Sequence, residues 1–295
     1  MTVIITDRRQ ALSDLFDFED LGADRFRAPP RPTALARLFG GQVVAQALAA
    51  CQRTVEGRNA NSCHAYFVRA GDPAMPIDFT VERDTDGRSF SARRVVARQA
   101  ERPILTMSAS FQVPEGGPSH HFPMPVVPPP DQIVPESELV SAVADRLPPR
   151  HRPFWLNDMG FDFRVVDATD PFAHAPVAGR RYVWLKLRHR IGDDPAEHQR
   201  LFAYASDLYM MHTGLLPFGL GWADARLQDA SLDHAIWFHD PFRIDDWLLY
   251  ALDSPAAGHA RSLGRGLVFT EAGRLVATAA QEGLIRMPPG WQPGD

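Results

Sequence analysis

The stretch Phe39-Gly40-Gly41-Gln42-Val43-Val44-Ala45-Gln46-Ala47-Leu48 opens a mostly apolar helical pattern that continues to Cys51. A strand pattern, His64-Ala65-Tyr66-Phe67, comes shortly afterwards. The same kind of strand returns 170 residues later as His234-Ala235-Ile236-Trp237-Phe238. Self-similarity at a constant spacing is typical of a repeated structural unit, so the sequence predicts two copies of one helix-and-strand unit.

The spacing persists further along both copies. Ser91-Ala92-Arg93 corresponds to His259-Ala260-Arg261, and residues 104–110 correspond to residues 275–281. Residues 104–113 alternate between apolar and mixed side chains, which is typical of a strand with one packed face. On this spacing His64 and His234 are equivalent, which favours an architectural role shared by both copies.

A second long helix is predicted from Pro195, behind the cap candidates Asp193 and Asp194, as far as Leu215. Its pattern is apolar nearly all round. Such a helix must be enclosed, and an antiparallel sheet that curls around it does so. The predicted class is therefore α+β, with each copy a long helix wrapped by an antiparallel sheet.

Prolines are concentrated between the two copies, where eleven of the 26 lie from Pro114 to Pro153. Proline removes a backbone donor and fixes φ, so this stretch is interpreted as an extended connection. Within it, residues 136–147 have one apolar face and predict a short helix. The predicted domains are residues 1–115, a linker over 116–155, and residues 156–295.

Composition excludes several function classes. With 31 basic and 36 acidic side chains the net charge is −5, so neither nucleic acid nor an anionic membrane is an expected partner. Cys51 and Cys63 lie in no metal-ligand spacing, and His120-His121 has no further ligands nearby, so no metal or other cofactor is expected. The N-terminal residues do not form a signal peptide pattern, and a cytoplasmic protein is predicted.

Five stretches carry a resemblance to a known family. They are Phe39–Leu48, Asp86–Val95, Tyr204-Ala205-Ser206-Asp207-Leu208, residues 233–239 (Asp-His-Ala-Ile-Trp-Phe-His) and Gln281-Glu282-Gly283. In these stretches, which span nearly the whole chain in order, the sequence resembles the type II acyl-CoA thioesterases. The resemblance implies a double hot dog fold, two hot dog domains in tandem, and hydrolysis of fatty acyl-CoA to a free fatty acid and CoA.

The resemblance also implies a catalytic trio of Asp207, Ser231 and Gln281, with serine where family members often have threonine. Read locally, the same residues leave alternatives open. Asp207 interrupts an apolar run and could instead cap a helix, and Gln281 could face outward from a half-exposed strand. Ser231 precedes a strand and carries no signal alone.

The implied mechanism is direct hydrolysis. Asp207 accepts a proton from a water that Ser231 and Gln281 hold, and a backbone N–H near Gly40 and Gly41 stabilises the oxyanion. The sequence contains no Gly-x-Ser-x-Gly motif, so an acyl-enzyme intermediate is not expected. The aligned positions of the first copy are Gln42, Asn61 and Ser110, so one active site per chain is expected, in the second copy.

Two rival functions remain open at this point. One is a protein that binds acyl-CoA without cleaving it. The other is an enoyl-CoA hydratase, which pairs an acid with a histidine; His212 follows Asp207 by five residues, about 140° round a helix and off its face. The sequence does not identify the acyl chain length or the arginines that meet the CoA phosphates; the candidates are Arg69, Arg88, Arg93 and Arg94. A homodimer or homotetramer is expected.

Overall fold

The computed structural model describes residues 12–31, 35–149, 152–156 and 159–292. The prediction that the N-terminus is no signal peptide concerns residues that lie mostly outside these ranges. The helices are α1 (Gly40–Gln52), α2 (Glu136–Ala142), α3 (Arg152–Trp155), α4 (Pro195–Ala205) and α5 (Met210–Thr213). The strands are β1 (Glu19–Gly22), β2 (Arg25–Ala28), β3 (Asn59–Phe67), β4 (Ile77–Asp86), β5 (Phe90–Gln99), β6 (Arg102–Gln112), β7 (Phe161–Val166), β8 (Arg180–Leu187), β9 (Gln228–Ser231), β10 (Asp233–Phe238), β11 (Leu248–Gly258), β12 (Arg261–Thr270) and β13 (Leu275–Arg286).

The strands form one antiparallel sheet in the order β1-β2-β4-β5-β6-β3-β10-β13-β12-β11-β8-β7, and β9 pairs with β13. Strands β1–β6 come from the first half of the chain and β7–β13 from the second. The halves join where β3 pairs with β10, with Cys63 opposite Ile236. The strands of the two halves thus form one continuous sheet, joined through β3 and β10.

Helices α1 and α4 pack against each other and run in opposite directions. The Gly41 N–H, at the start of α1, contacts Asp207 just beyond the end of α4. At the other end, the Gln52 Nε2 donates to the Ala196 carbonyl at 3.1 Å. Buried side chains from both helices, among them Leu48 and Phe202, belong to one hydrophobic core inside the sheet. Two long helices, each wrapped by half of an antiparallel sheet, form a double hot dog fold of the α+β class, which confirms the predicted fold.

The proline-rich stretch has little regular structure, since residues 113–129 form neither helix nor strand. The short helix predicted after it begins at Glu136, as expected, but α2 ends at Ala142 and a single 3-10 turn, Ala144–Arg146, follows. Val140 and Leu147 are buried against the second half of the chain. The stretch is therefore held to the fold by a few apolar anchors.

The prediction of one long helix from Pro195 to Leu215 is wrong at its C-terminal end. The helix begins as predicted, with the Asp194 side chain accepting a hydrogen bond from the Ala196 N–H. It ends at Ala205, and Tyr209 then adopts a left-handed conformation with a φ of 69°. A helix cannot continue through that conformation, so α5 is a separate short turn.

The predicted equivalence of His64 and His234 is also wrong. His64 is exposed and packs edge-on against Trp237 on the outer face of the sheet, whereas His234 is completely buried on the inner face. Because the side chains of a strand alternate, two histidines at the same sequence spacing face opposite sides when the register differs by one residue.

No helix among the described residues combines the length and the apolar character that are needed to cross a membrane.

Candidate active site

The first component of the candidate site is the Asp207 carboxylate, two residues beyond the end of α4. It is 9% exposed, and its Oδ2 accepts a hydrogen bond from the Gly41 N–H at 2.8 Å. Phe39 at the N-cap position of α1 offers no side-chain cap, so the first N–H groups of that helix are available to another acceptor. An anion is stabilised at a helix N-terminus, and here it comes from the other half of the chain.

Ser231 and Gln281 reach Asp207 through the pairing of β9 with β13. Ser231 ends β9 opposite Gly283, and Gln281 points inward from β13 and is completely buried. The Gln281 amide nitrogen donates to the Asp207 Oδ1 at 2.8 Å and to the Ser231 Oγ at 2.7 Å. The Ser231 hydroxyl lies 3.4 Å from the same carboxylate oxygen. The structure therefore brings the three predicted residues into one hydrogen-bonded group.

A cavity of about 610 Å³ lies beside this group and is lined by both halves of the chain. Asp207 and Ser231 reach its wall, whereas Gln281 is not among the lining residues. Its other walls include Gly40 and Phe67 from the first half and Met211 from the second. A substrate in the cavity can therefore contact the carboxylate and the hydroxyl, with the glutamine amide behind them.

The donors around Asp207 leave it one free acceptor position. A carboxylate has about four lone-pair sites. Gly41, Gln281 and, more weakly, Ser231 occupy three of them. The remaining site is available to a water molecule in the cavity. Both hydrogens of the Gln281 amide are already donated, one to each of its two neighbours, so this residue orients them and does not itself hold the water as the sequence predicted.

The predicted oxyanion donor also needs correction. The N–H of Gly41 is committed to Asp207, because the two atoms lie 2.8 Å apart. A Cβ built on Gly40 would lie 2.8 Å from the Asp207 Oδ2, so Gly40 also borders the carboxylate and lines the cavity. Of the two glycines, only Gly40 retains an N–H that is not donated to Asp207.

The predicted counterparts of the trio in the first copy, Gln42, Asn61 and Ser110, are not structurally equivalent to it. Gln42 lies in the first turn of α1, whereas Asp207 follows the last turn of α4. Ser110 is partly exposed between inward-facing neighbours of β6, whereas Gln281 faces inward. Asn61 lies at an irregularity between Ala60 and Ser62 in the pairing of β3 with β6.

His212 lies nearer to the site than helical geometry predicted. Because the helix breaks at Tyr209, both His212 and Asp207 line the cavity. The His212 Nε2 faces the Asp229 carboxylate at 3.4 Å, so its acidic neighbour is Asp229. An enoyl-CoA hydratase would pair Asp207 with a histidine, and no hydrogen bond between Asp207 and a histidine occurs among the described residues.

The other candidates from the sequence are distributed as follows. Of the arginines considered for CoA, only Arg69 lines the cavity, and Arg37, which the sequence did not single out, lines it too. Arg93 is buried in an ion pair with Asp86, and Arg94 pairs with Glu82 on the surface. Among the described residues, no group of three or more histidine, cysteine, aspartate or glutamate side chains is arranged to hold a metal ion.

Two family models match the chain. The model described as acyl-CoA thioesterase matches residues 157–284, and the model of the acyl-CoA thioesterase N-terminal domain matches residues 28–112. Acyl-CoA thioesterase 2 of Haemophilus influenzae is 38% identical over 283 residues, which are 96% of this chain and 99% of that protein. Human acyl-coenzyme A thioesterase 8 is 37% identical and covers 96% of this chain and 91% of that protein.

The fold is similar to that of solved structures. The crystal structure of the acyl-CoA thioesterase II TesB2 from Mycobacterium marinum superposes with a TM-score of 0.76 at 37% identity, covering 96% of this chain and 100% of that one. A hot dog fold protein from Alicyclobacillus acidocaldarius superposes with a TM-score of 0.75 at 18% identity, covering 94% and 98%, which supports the fold alone. The resemblance seen in the sequence is confirmed, and the chain belongs to the acyl-CoA thioesterase family.

Proposed function

We propose that this protein hydrolyses acyl-CoA thioesters by direct attack of water, with one active site per chain. The observation that carries the proposal is the hydrogen-bonded group of Asp207, Ser231 and Gln281 at the wall of a cavity between the two halves. Membership of the acyl-CoA thioesterase family supports the substrate class.

In the proposed reaction, a water occupies the free acceptor site of Asp207 and contacts the Ser231 hydroxyl. Asp207 takes a proton from this water as its oxygen adds to the thioester carbonyl carbon. The carbon–sulfur bond of the tetrahedral intermediate then breaks, and the sulfur leaves as CoA thiol by taking the proton that Asp207 received, which restores the carboxylate. The acyl group leaves as a carboxylic acid. Gln281 acts as a positioning residue, because both of its amide hydrogens hold Asp207 and Ser231.

The Gly40 N–H is the proposed oxyanion donor. It lies at the first turn of α1 on the cavity wall, and no acceptor for it occurs among the described residues. A helix N-terminus that points at developing negative charge stabilises a transition state without reorganisation. The donor comes from the first half of the chain and the base from the second, so the site requires both halves.

Asp207→Ala tests the assignment of the base. Loss of a positioned base should lower kcat about 10²- to 10⁴-fold while the protein remains folded. Release of CoA thiol is followed with DTNB, and folding is checked by circular dichroism and thermal melting. Asp131→Ala, which makes the same substitution at an exposed aspartate in the linker, serves as the matched control. Activity near that of the wild type in Asp207→Ala would exclude this residue as the base.

The same assay separates hydrolysis from simple binding. A protein that only binds acyl-CoA raises its Tm with the ligand but releases no thiol. A series of saturated acyl-CoA substrates of increasing length then defines the preferred chain, because the rate falls when the acyl group outgrows the cavity.

The remaining proposals concern organisation. We propose domains over residues 1–115 and 156–295 with a linker over 116–155, a cytoplasmic location, and a homodimer or homotetramer. Strands β1 and β7 end the strand order, so each has one edge without a partner strand in the described part of the chain. Such edges favour association with a further copy. Light scattering coupled to gel filtration measures the oligomeric state, and a monomer at micromolar concentration would contradict it.

A further inference from the structure

His234 lies directly behind the Gln281 amide and is completely buried on the inner face of β10. Its Nδ1 is 3.0 Å from the Gln281 Oε1, and its Nε2 is 2.8 Å from the Ser206 Oγ. Both ring nitrogens therefore have a partner, and each partner is a neighbour of the catalytic carboxylate: Gln281 bonds to Asp207, and Ser206 precedes Asp207 in the chain. The proposed hydrolysis gives this histidine no contact with the substrate or the water.

The direction of each hydrogen bond follows from the chemistry of the groups. The Asp207 carboxylate only accepts, so the Gln281 NH₂ must face it and the Gln281 carbonyl oxygen must face His234. That carbonyl oxygen also only accepts, so the His234 Nδ1 carries a hydrogen. In a neutral imidazole the Nε2 is then an acceptor. The Ser206 hydroxyl lies 3.2 Å from the Ala203 carbonyl and 2.8 Å from this Nε2, and its one hydrogen is directed to the nearer Nε2.

These bonds form a closed ring. From Ser206 the hydrogen bonds lead through His234 and Gln281 to the Asp207 carboxylate, and the peptide bond between residues 206 and 207 returns to the start. The ring joins the end of α4 to strands β10 and β13. The Ser206 carbonyl is itself held by the Tyr250 hydroxyl at 3.0 Å, which anchors the ring to β11.

We propose that His234, in its Nδ1–H form and fixed by Ser206, is a positioning residue that keeps the Gln281 amide nitrogen directed at Asp207 and Ser231. The proposal rests on the proposed role of those three residues. Without the Nδ1 donor, the Gln281 carbonyl loses its partner and the amide is free to rotate. A rotated amide presents its oxygen to the carboxylate, which repels it and withdraws the hydrogen bonds that aim the base.

The surroundings of His234 support the neutral form. Burial lowers its pKa, which outweighs the effect of the nearby Asp207 and Asp233 carboxylates. In the first half, His64 is exposed and packs on Trp237, and the inward-facing residue beside it is Cys63, which has no ring nitrogens. The arrangement is therefore specific to the half of the chain that holds the carboxylate.

The decisive pair of variants is His234→Asn and His234→Leu. The two side chains have the same branched shape and lose the same ring contacts, but the asparagine amide nitrogen is as many bonds from Cβ as the Nδ1 and can replace its hydrogen bond. We expect His234→Leu to lower kcat about 10- to 100-fold, as for a misplaced catalytic group, with KM within about threefold. The kcat of His234→Asn should be at least about tenfold higher than that of His234→Leu, and the two variants should have similar Tm values.

Nitrogen-15 NMR of histidine-labelled wild type tests the ring without relying on turnover. The resonances missing from the His234→Asn spectrum identify His234, which should show a protonated Nδ1 and an unprotonated Nε2 at pH 7. A protonated Nε2, or equal kcat losses in the two variants, would overturn the proposal. If Asp207→Ala keeps its activity, the proposed catalytic role of Asp207, Ser231 and Gln281 is refuted. If Asp207→Ala is inactive but the two His234 variants have equal kcat, only the positioning role of His234 is refuted. An unfolded variant leaves the NMR result to decide.

Discussion

Gly41→Ala is the sharpest perturbation that the packing of the two helices offers. A Cβ built on Gly41 lies 2.3 Å from the Tyr204 carbonyl oxygen and 2.6 Å from the Phe39 ring. The first of these is backbone within α4, which cannot rotate away as a side chain does. To reach an ordinary carbon–oxygen contact, α1 and α4 must separate by about 1 Å, because the interior is closely packed.

The expected cost follows from two contributions. Overpacking costs about 1–3 kcal/mol. The hydrogen bond from the Gly41 N–H to the Asp207 carboxylate, which the separation weakens, contributes about 1.5–3 kcal/mol because its acceptor is charged. Allowing about 1 kcal/mol for the better helix propensity of alanine, we expect a net loss in the free energy of unfolding of about 1.5–5 kcal/mol. A change of this size lowers the Tm by about 2–8 °C in a chain of 295 residues.

Gly41→Ala should also lower kcat. A carboxylate displaced by about 1 Å can lose on the order of 10²-fold in rate, so kcat for thiol release should fall by about that factor in Gly41→Ala at a temperature where it is folded. Gly40→Ala makes a useful contrast. Its Cβ meets only side-chain atoms, the Asp207 Oδ2 at 2.8 Å and the Phe67 ring at 3.0 Å. These atoms can move, so Gly40→Ala should lower kcat while its Tm stays within a few degrees of the wild type.

The assay combines thermal melting with thiol release at 25 °C. Gly116→Ala is the matched control, since a Cβ there meets nothing within 4 Å and its backbone is not in a left-handed conformation. That variant should be neutral or slightly more stable. A Gly41→Ala protein with the Tm and kcat of the wild type would refute the close contact between α1 and α4 and the role given to the Gly41 N–H.

Three further predictions concern other parts of the molecule. Burial raises the pKa of Glu136, which accepts from the Tyr209 hydroxyl at 2.5 Å, from 4.5 to about 7. An acid with a raised pKa in the folded state contributes stability below its unfolded pKa and loses it as the pH rises through the folded value. The free energy of unfolding of Glu136→Gln, relative to that of the wild type, should therefore rise by up to about 3 kcal/mol as the pH rises from 4.5 to 8. Denaturant titrations measure this difference, and a difference that does not change with pH would contradict the prediction. The His212 Nδ1 is buried beside the cavity without a partner among the described residues, so His212→Phe should raise KM about tenfold and leave kcat within about threefold; an unchanged KM would exclude a ligand contact. Burial raises the pKa of the Cys51 thiol, and that of Cys63 to about 12, so native protein should give no DTNB background at pH 8 and both thiols should react in guanidinium.

The fold was predictable because its main elements have strong local patterns. The apolar helix that begins at Gly40 and the alternation of residues 104–113 each identify one element, and their repetition identifies the second unit. The C-terminal end of α4 could not be predicted in this way. The apolar pattern continues past Ala205, and the break depends on the left-handed conformation of Tyr209, which is held from the linker by Glu136.

Equivalence between the copies failed for a geometric reason. A constant spacing of 170 residues pairs His64 with His234, but a slip of one residue between two strands reverses the face of every side chain. Periodicity alone contains no information about such a slip. Similarly, Asp207, Ser231 and Gln281 are far apart in sequence and meet through the pairing of β9 with β13 and the end of α4. Only the family resemblance joined them, since none has a strong local signal.

The helix starts of the two units explain why the carboxylate belongs to one of them. In α4 the Asp194 side chain accepts from the Ala196 N–H, so a donor of the first turn is satisfied within its own unit. In α1 the N-cap residue is Phe39, whose side chain cannot accept, and the Gly41 N–H instead binds Asp207 of the other unit. The uncapped helix is thus the one that can hold a carboxylate across the interface.

The other end of the helix pair completes the asymmetry. Thr54 lies two residues beyond the end of α1, just as Asp207 lies two residues beyond the end of α4. Its hydroxyl accepts from the buried Arg93 guanidinium at 2.8 Å, and that guanidinium is paired with Asp86. Neither a threonine hydroxyl nor a guanidinium is a base at neutral pH. Active-site occupancy should therefore reach one ligand per chain and not two. A calorimetric titration of Asp207→Asn with intact acyl-CoA measures this number directly, because the bound thioester is not consumed.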